Sequence, residues 1–272
     1  MPELPEVETV MRGLQKAIRG KKIKQIRLNR KDLRIPFPPS LSRLAGDTVE
    51  RLSRRAKYIL IHLKSGKTMI VHLGMSGRMT VNGAGDLPHD HMIVGFTDKS
   101  CFVFNDPRRF GMVDLCLKRD IVTHRFFRHL GPEPFDEDFS ADYLMQKLHG
   151  KKMAVKVALM DQRLVVGVGN IYASEALFDA GISPARAGKK ITAREAGLLV
   201  KAIRKVLKKA IEAGGSSLRD YVQADGEMGY FQYGFKVYDR AGETCKRKAC
   251  HGIVMRTVQA GRSTFSCTSC QK

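Results

Sequence analysis

The chain has 272 residues, and its 48 Lys and Arg against 27 Asp and Glu give a formal charge of +21. The length suffices for a large core and two domains, no apolar run approaches a membrane span, and the acidic N-terminus lacks the apolar stretch of a signal peptide. We therefore expect a soluble cytoplasmic protein with a polyanionic partner, most often nucleic acid, because cations bound to phosphates release counterions. The alternative is a soluble protein that is merely basic.

The first predicted element is an amphipathic helix that begins at Pro5 and stops at Gly20. A packed helix of this kind would hold the residues before it in a fixed position, which a catalytic group requires. Its apolar residues recur at helical spacing and are Val7, Val10, Met11, Leu14 and Ile18.

Pro2 and Glu3, directly before this helix, allow two interpretations. They can form an ordinary helix start, at which acidic side chains face the positive end of the helix dipole. Alternatively, once Met1 is removed, the secondary amine of Pro2 is a nucleophile and Glu3 is the nearest acid or base. With Met1 retained, the Pro2 nitrogen is an amide and cannot attack a carbon atom.

Residues 21–130 predict mainly short strands separated by turns, which is typical of a β-sandwich or a barrel. Cys101 and Cys116 fall inside apolar strands and are expected in the core. The predicted strands span residues 22–28, 48–54, 57–63, 67–73, 91–97, 101–104 and 112–117.

Three cations precede one of these strands, at Arg54, Arg55 and Lys57. Because side chains alternate along a strand, Arg55 and Lys57 share one side. Arg54 is interpreted as a solvated residue at the strand entry.

Two glycine-bearing turns carry side chains that suit DNA. The turn over residues 72–77 presents Met75, either as a core residue or as a wedge for a base stack. The turn over residues 106–111 places Arg108 near Phe110, a pair suited to base contact and stacking. A purely structural role remains open for both turns.

His89 has a His neighbour at position 91 but no completing ligand cluster, so a loop or DNA contact is favoured over a metal site.

Residues 131–140 read as a proline-containing acidic linker, after which the pattern becomes helical. Ser140 can cap a helix that runs through His149, and a second helix covers residues 152–161. A glycine-bearing turn then leads into a helix over 171–180 with Asn170 at the N-cap, which suits a phosphate or an ordinary packing corner. A capping box at Thr192 begins a further helix that runs to Ala213.

The glycine-rich segment 214–234 is interpreted as a lid or binding loop because it is long and polar. The tail that follows contains two cysteine pairs, one spaced x4 and the other x2, which predict a structural tetrahedral Zn²⁺ site. Two disulfides are disfavoured by the compartment, and His251 could substitute as a ligand. Arg262 is expected at a hairpin turn. The four cysteines are Cys245, Cys250, Cys267 and Cys270.

Taken together, these stretches closely resemble the bacterial formamidopyrimidine-DNA glycosylase family (Fpg/MutM) over essentially the whole chain. The matching motifs are PELPEVE, RRAKY, HLGMSGR, DPRRFG, VVGVGNIYASEAL and GRSTF. The resemblance implies an α+β fold with two domains and with DNA in the cleft between them. The implied parts are an N-terminal β-sandwich flanked by helices (1–130), a linker (131–140), a helix-two-turn-helix domain (141–236) with a lesion-recognition loop (214–234), and a zinc-finger β-hairpin (237–272).

The same resemblance implies a bifunctional DNA glycosylase and AP lyase that acts as a monomer on duplex DNA containing oxidised purines or abasic sites. In this family Pro2 would attack C1′, Glu3 would act as acid and base, and Lys57 and Arg262 would assist strand elimination. Met75, Arg108 and Phe110 would fill the gap left by the flipped nucleotide. His89, Lys151, Asn170 and Arg262 match further positions that contact DNA.

One departure from the family is the x4 spacing of Cys245 and Cys250, where the usual spacing is x2, and it leaves the geometry of this knuckle and the role of His251 open. Two alternative functions also remain. One is an enzyme resembling endonuclease VIII, which prefers oxidised pyrimidines, and the other is a non-catalytic DNA-binding protein on the same scaffold.

Overall fold

The computed structural model describes residues 2–217 and 223–272, and these residues form two compact units. The N-terminal unit contains the chain up to Arg128 together with residues 211–232. The C-terminal unit contains residues 129–210 and 233–272. The described residues 211–217 and 223–232, which include much of the predicted recognition loop, therefore pack with the N-terminal unit.

The N-terminal unit is a β-sandwich, as predicted, and helix α1 packs against it. Its two sheets have the strand orders β1-β6-β7-β5 and β2-β3-β4-β8, and all pairings are antiparallel. The elements are α1 (Leu4–Ile18), β1 (Ile23–Leu28), β2 (Val49–Arg55), β3 (Tyr58–Leu63), β4 (Lys67–His72), β5 (Arg78–Val81), β6 (Asp90–Phe96), β7 (Cys101–Asn105) and β8 (Met112–Leu117).

A single hydrophobic core joins α1 to both sheets. The apolar face of the helix, from Val7 to Ile18, is buried against side chains such as Ile59 and Phe104. Burial of large apolar side chains stabilises a fold by about 1.5–3 kcal/mol each, so this core fixes the start of α1 firmly. All seven predicted strands are present within one or two residues. The prediction that Cys101 and Cys116 are core residues was wrong, because both are only half-buried near strand ends.

Helix α1 begins at Leu4, one residue earlier than predicted, because its N-cap is Glu3. The Glu3 N–H donates to the carboxylate of Glu6 at 2.8 Å, and the reciprocal bond to the Glu3 side chain completes a capping box. Pro5 lies in the first turn, where its missing N–H has no consequence. The residues before α1 are therefore fixed by the helix itself.

The C-terminal unit consists of helices and a β-hairpin. Its elements are α2 (Ala141–Leu148), α3 (Val155–Leu159), α4 (Asn170–Ala180), α5 (Ala193–Glu212, whose last two residues belong to the N-terminal unit), β9 (Val254–Gln259) and β10 (Arg262–Cys267). The predicted caps of α2 and α5 are confirmed, since Ser140 accepts from the Tyr143 N–H at 3.1 Å and Thr192 forms its box with Glu195. No helix among residues 2–217 and 223–272 combines the length and apolar character needed to cross a membrane.

Two helix predictions need correction. The second predicted helix, 152–161, is reduced to the five residues of α3. Asn170 is the first residue of α4 and not its N-cap, because Gly169 has the extended backbone of a capping residue. The side chain of Asn170 is therefore free of the capping role and makes tertiary contacts instead.

Candidate nucleic-acid interface and metal centre

Pro2 and Glu3 lie buried at the start of α1 in the N-terminal unit. The Glu6 carboxylate that caps this helix also accepts hydrogen bonds from the backbone N–H of Ser216 at 2.9 Å and from its hydroxyl at 3.2 Å. One buried side chain thus joins the candidate nucleophile segment to residue 216, at the entrance to the predicted recognition loop. Sequence reasoning missed Ser216, because a serine in a polar loop carries no distinguishing pattern.

A residue in the middle of the predicted recognition loop is also fixed within the N-terminal unit. Ala224 is buried in the sandwich core, its carbonyl accepts from the Val81 N–H at 2.9 Å, and a Cβ placed on Gly13 would lie 2.8 Å from the Ala224 Cβ. Ser216 and Ala224 are therefore both anchored to the N-terminal unit. Residues 218–222, which fall inside the predicted loop 214–234, lie outside the described residues.

Lys57 lies in a two-residue turn between β2 and β3, next to Ala56, whose φ of +53° is unusual for a residue with a side chain. Lys57 itself is buried. Arg54 holds this turn, since it donates to the Ala56 carbonyl and to the Glu8 carboxylate of α1, each at 2.9 Å. The interpretation of Arg54 as a solvated residue was wrong: its side chain is only 10% exposed. The helix that carries Pro2 and the turn that carries Lys57 are thus tied together.

His72 lies beside Lys57 at the start of the turn that carries Met75. Burial first, and then the charges of Lys57 and Arg34, together lower the pKa of His72 to about 4. Its neutral Nδ1 accepts from the Gly74 N–H at 2.9 Å. The imidazole therefore shapes the Met75 turn without adding a positive charge near neutral pH.

The structure brings the turns over residues 72–77 and 106–111 together, and we call these two turns the wedge loops. Gly74 has a φ of +66°, and a Cβ there would lie 2.4 Å from the Phe110 carbonyl carbon, so only glycine permits this backbone contact. Met75 is half-buried, whereas Phe110 is 43% exposed and carries the Arg108 guanidinium 5.0 Å from its ring centre. His89 is exposed beside them, and its carbonyl accepts from the Asp106 N–H at 3.1 Å.

In the C-terminal unit, Asn170 is held by a buried lysine that sequence reasoning missed. Lys156 of α3 is 1% exposed and donates to Asn170 Oδ1 at 2.6 Å, to Thr264 Oγ1 at 2.7 Å and to the Ser263 carbonyl at 3.1 Å. Asn170 Nδ2 donates to the same Ser263 carbonyl at 2.9 Å. The start of α4 and the start of β10 therefore share one polar cluster. A lysine between apolar residues, as in VKVAL, was the available signal.

Arg262 opens β10 on the hairpin and is exposed, as predicted for a cation at that turn. It shares a cleft of about 240 Å³ with Lys156, Met160 and Gln259. Lys151 lies between α2 and α3, where its carbonyl accepts from the Lys189 N–H at 2.9 Å. The predicted residues therefore divide between the units, with Lys151, Asn170, Arg262 and the cysteines in the C-terminal unit.

Glu175 is a second buried charge of the C-terminal unit that the sequence did not reveal. Its carboxylate accepts from three consecutive backbone N–H groups at 236–238, at 2.8–3.1 Å, and burial raises its pKa. This fixes Tyr238, whose ring centre lies 5.0 Å from that of Phe265 on β10 and whose hydroxyl is 3.5 Å from Asn170 Nδ2. Glu175 thus positions the segment that leads into the hairpin.

The four cysteines of the tail converge as predicted. Their sulfur atoms all lie within 4.8 Å of one another, with Cys245 and Cys270 at 3.8 Å and Cys250 and Cys267 at 3.7 Å. Four ligands at about 2.3 Å around a tetrahedral zinc ion would be about 3.8 Å apart, so both geometry and donor type fit Zn²⁺. The x4 spacing therefore still gives a complete four-sulfur set, and His251 is exposed.

The chain matches known proteins over its full length. Residues 1–113 match the formamidopyrimidine-DNA glycosylase N-terminal domain, and residues 130–222 match the formamidopyrimidine-DNA glycosylase H2TH domain. The chain is 52% identical to formamidopyrimidine-DNA glycosylase of Ruegeria pomeroyi, with all of both chains covered.

Two solved structures of Lactococcus lactis Fpg align with the whole chain and are themselves fully covered. One is a mutant bound to DNA containing Fapy-dG, with a TM-score of 0.91 and 35% identity. The other is the wild-type protein bound to DNA containing an oxidised pyrimidine, with a TM-score of 0.90 and 34% identity. Since both domain types, their order and their full length agree, the chain belongs to the formamidopyrimidine-DNA glycosylase family.

Proposed function

We propose that this DNA glycosylase and AP lyase removes oxidised purines from duplex DNA through a Schiff base on Pro2 and then cuts the strand by β- and δ-elimination. The observation that carries the proposal is the capping box, which fixes Pro2 and Glu3 at the buried start of α1. A nucleophile and its acid need such fixed placement, because misplacement by about 1 Å can lower a rate about a hundredfold.

The proposed reaction begins when the amine of Pro2 attacks C1′ of the damaged nucleotide and the bond from C1′ to the base breaks. The departing base takes up a proton, the amine loses its own proton, and Glu3 protonates the ring oxygen O4′. The C1′–O4′ bond then breaks and leaves an iminium between Pro2 and C1′. The iminium draws electrons from the sugar, so a proton leaves C2′ and the 3′ carbon–oxygen bond breaks with release of the 3′ phosphate. Elimination at the 5′ side follows, and water finally releases Pro2. Lys57 assists the first elimination and Arg262 the last.

We assign the remaining residues to DNA binding. Met75, Arg108 and Phe110 replace the extruded nucleotide, which must leave the stack before Pro2 can reach it. Arg108 reads the orphaned cytosine. His89, Lys151, Asn170 and Arg262 contact the DNA, and their charges or amides suit phosphate oxygens. The enzyme would act on chromosomal DNA, which associates it with the bacterial nucleoid.

The zinc site has a structural role in this proposal. Cys245, Cys250, Cys267 and Cys270 would hold one ion, which supplies rigidity and no open coordination position for chemistry. The hairpin that carries Arg262 contributes few buried apolar residues of its own, as in other small metal-supported domains.

Borohydride trapping tests this proposal, because it reduces the Schiff base to a stable covalent complex. Protein whose mass shows the loss of Met1 should be trapped on duplex DNA with 8-oxoguanine opposite cytosine, and Pro2→Gly should abolish trapping. Pro5→Ala is the matched control, since it alters a proline of the same segment that cannot present a free amine. Absence of a complex with the mature protein would refute the proposal, and a trapped complex would rule out the non-catalytic alternative.

A preference for oxidised pyrimidines is the second candidate, since the Lactococcus lactis relative has been solved with DNA of that kind. Single-turnover rates on 8-oxoguanine and thymine glycol decide between the two. We expect 8-oxoguanine to be released faster, because the chain carries the Met75, Arg108 and Phe110 set and the long loop 214–234.

A further inference from the structure

Asp106 is a fully buried carboxylate at the beginning of the second wedge loop. Its Oδ1 accepts from the Ser76 hydroxyl at 2.6 Å, and its Oδ2 accepts from the Gly111 N–H at 2.7 Å. Both described contacts of the carboxylate are with neutral donors. Removing a carboxylate from water is unfavourable, and here the compensation comes from hydrogen bonds that join two separate loops.

Ser76 carries this connection across to Arg108. The Ser76 hydroxyl donates to Asp106 and accepts from the backbone N–H of Arg108 at 3.1 Å. The residue after Met75 is therefore bonded to the residue that would read the opposite base. Ser76 is itself buried, so water does not compete for these bonds.

The backbone of Asp106 fixes the rest of the second wedge loop and the neighbouring His89. Its carbonyl accepts from the Arg109 N–H at 3.2 Å, closing an Asp-Pro turn, and from the His91 ring Nε2–H at 2.9 Å. Its N–H donates to the His89 carbonyl at 3.1 Å. A Cβ on Gly111 would lie 3.0 Å from Asp106 Oδ2, so glycine permits the close approach.

We infer that Asp106 is the positioning residue that holds Met75, His89, Arg108 and Phe110 as one preformed DNA-probing surface. The inference rests on the proposed function, because it concerns how that function replaces the extruded nucleotide. A wedge acts only if its parts enter the base stack together, and Asp106 bonds to both wedge loops. A carboxylate is required at this position because two donors approach its two oxygens, whereas an asparagine would present one acceptor and one donor.

The test compares a substrate that needs the wedge with one that does not. Duplex DNA with 8-oxoguanine opposite cytosine leaves a gap when the lesion is extruded. A single-stranded abasic oligonucleotide leaves no gap and has no opposite base, yet it reacts at the same Pro2. Single-turnover excision is measured on the first substrate, and borohydride trapping on the second, for Asp106→Ala, Asp106→Asn, Ser76→Ala and the unmodified protein.

We expect Asp106→Ala to slow excision from the duplex about a hundredfold while trapping on the single strand changes less than about threefold. Asp106→Asn and Ser76→Ala should slow duplex excision by about tenfold each, and the Asp106 variants should lose their preference for cytosine opposite the lesion. Asp47→Ala is the matched control, because Asp47 accepts from the Ser65 hydroxyl and N–H at the protein surface. It should leave both rates unchanged.

The outcomes separate the inference from the function on which it rests. If the unmodified protein is trapped on neither DNA, the proposed function fails and the inference fails with it. If the unmodified protein is active but the variants lose both activities equally, or retain duplex excision, only the inference is overturned. Thermal unfolding shows whether each variant folds. If Asp106→Ala does not fold, Ser76→Ala provides the test, because it removes only one hydroxyl oxygen.

Discussion

The two units of the molecule each organise their proposed DNA-contacting residues around a buried charge, but the charges have opposite sign. In the N-terminal unit Asp106 collects N–H and O–H donors, and in the C-terminal unit Lys156 collects a carbonyl, an amide oxygen and a hydroxyl. A buried ion favours partners of fixed direction, because it loses the water that would otherwise solvate it. Each ion therefore specifies the geometry of the loops around it.

The units differ in what lies beneath these charges. The wedge loops extend from a sandwich whose core joins two sheets and a helix. The hairpin of the C-terminal unit has a small core in which Phe178, Val237, Val254 and Phe265 pack with the cysteines. The exposed side chains are thus supported by a large apolar core in the N-terminal unit and by the four cysteines of the candidate zinc site in the C-terminal unit.

The largest expected effect follows from removing the metal site. Cys250→Ser should abolish binding of about one zinc ion per chain and lower DNA affinity at least about a hundredfold, because the hairpin loses most of what folds it. Zinc content by mass spectrometry and DNA binding by fluorescence anisotropy measure the two effects. Cys101→Ser, a half-buried cysteine outside the cluster, is the control. Active, folded protein without metal would contradict this view of the hairpin.

Replacing the buried lysine should have the next largest effect. Lys156→Met leaves Asn170 Oδ1 and Thr264 Oγ1 without their donor, and we expect a loss of about 3 kcal/mol of stability in the C-terminal unit. DNA binding should weaken as well, because Asn170 and the start of β10 lose their common anchor. Urea unfolding and anisotropy check these outcomes. Lys152→Met, an exposed lysine just before α3, should change neither quantity measurably.

The stability of the N-terminal unit is expected to depend on pH by up to a few kcal/mol because of His62. His62 is 2% exposed, and burial first, then Arg51 and Lys118, lower its pKa to about 4 from an ordinary 6.5. Between pH 6.5 and about 4, His62 binds a proton in the unfolded chain but not in the folded chain. Its contribution to stability is therefore fully present above about pH 6.5 and is lost as the pH falls toward 4. A pKa that falls from 6.5 in the unfolded chain to about 4 in the folded chain corresponds to about 3 kcal/mol of stability.

The measurement is urea unfolding at several pH values for the unmodified protein and for His62→Gln. The variant should show a shallower loss of stability below pH 6.5, although His72, whose pKa is also about 4, retains part of the slope. His251→Gln alters an exposed histidine and should leave the slope unchanged. Identical slopes for all three proteins would contradict the assignment.

The smallest expected effect concerns the tie between α1 and the Lys57 turn. Arg54→Met removes the bonds to Glu8 and to the Ala56 carbonyl and should lower stability by about 1–2 kcal/mol. Arg12→Met is the control, because Arg12 also bonds to Glu8 but has an exposed side chain. We expect it to lower stability by less than about 0.5 kcal/mol. Equal losses in urea unfolding would show that burial of Arg54 has no energetic consequence.

Local patterns in the sequence were sufficient for most elements, because alternation and capping act over a few residues. The exception among the strands was β5, whose four residues include one buried side chain and so offer little alternation. The N-cap of α4 was predicted at Asn170, one residue too late, because the sequence does not reveal that Gly169 caps this helix. The cysteine cluster was predictable because zinc restricts both ligand type and spacing.

The buried charges were not predictable in the same way. Asp106, Lys156, Glu175 and Glu6 look like ordinary polar residues until the fold removes them from water. Arg54 was misinterpreted for the same reason, since its partner Glu8 lies 46 positions away in the chain. The family resemblance predicted which residues contact DNA, but only the tertiary contacts showed what holds them.

The contact between Glu6 and Ser216 has a thermodynamic consequence. Because one carboxylate satisfies both the start of α1 and the entrance of the loop, the order of these two segments is a single linked equilibrium. A ligand that binds only when residue 216 is ordered would also stabilise the start of α1, and under the proposed mechanism a covalent adduct on Pro2 would by reciprocity favour the ordered loop entrance. One hydrogen-bonded carboxylate would then couple the proposed recognition and reaction steps.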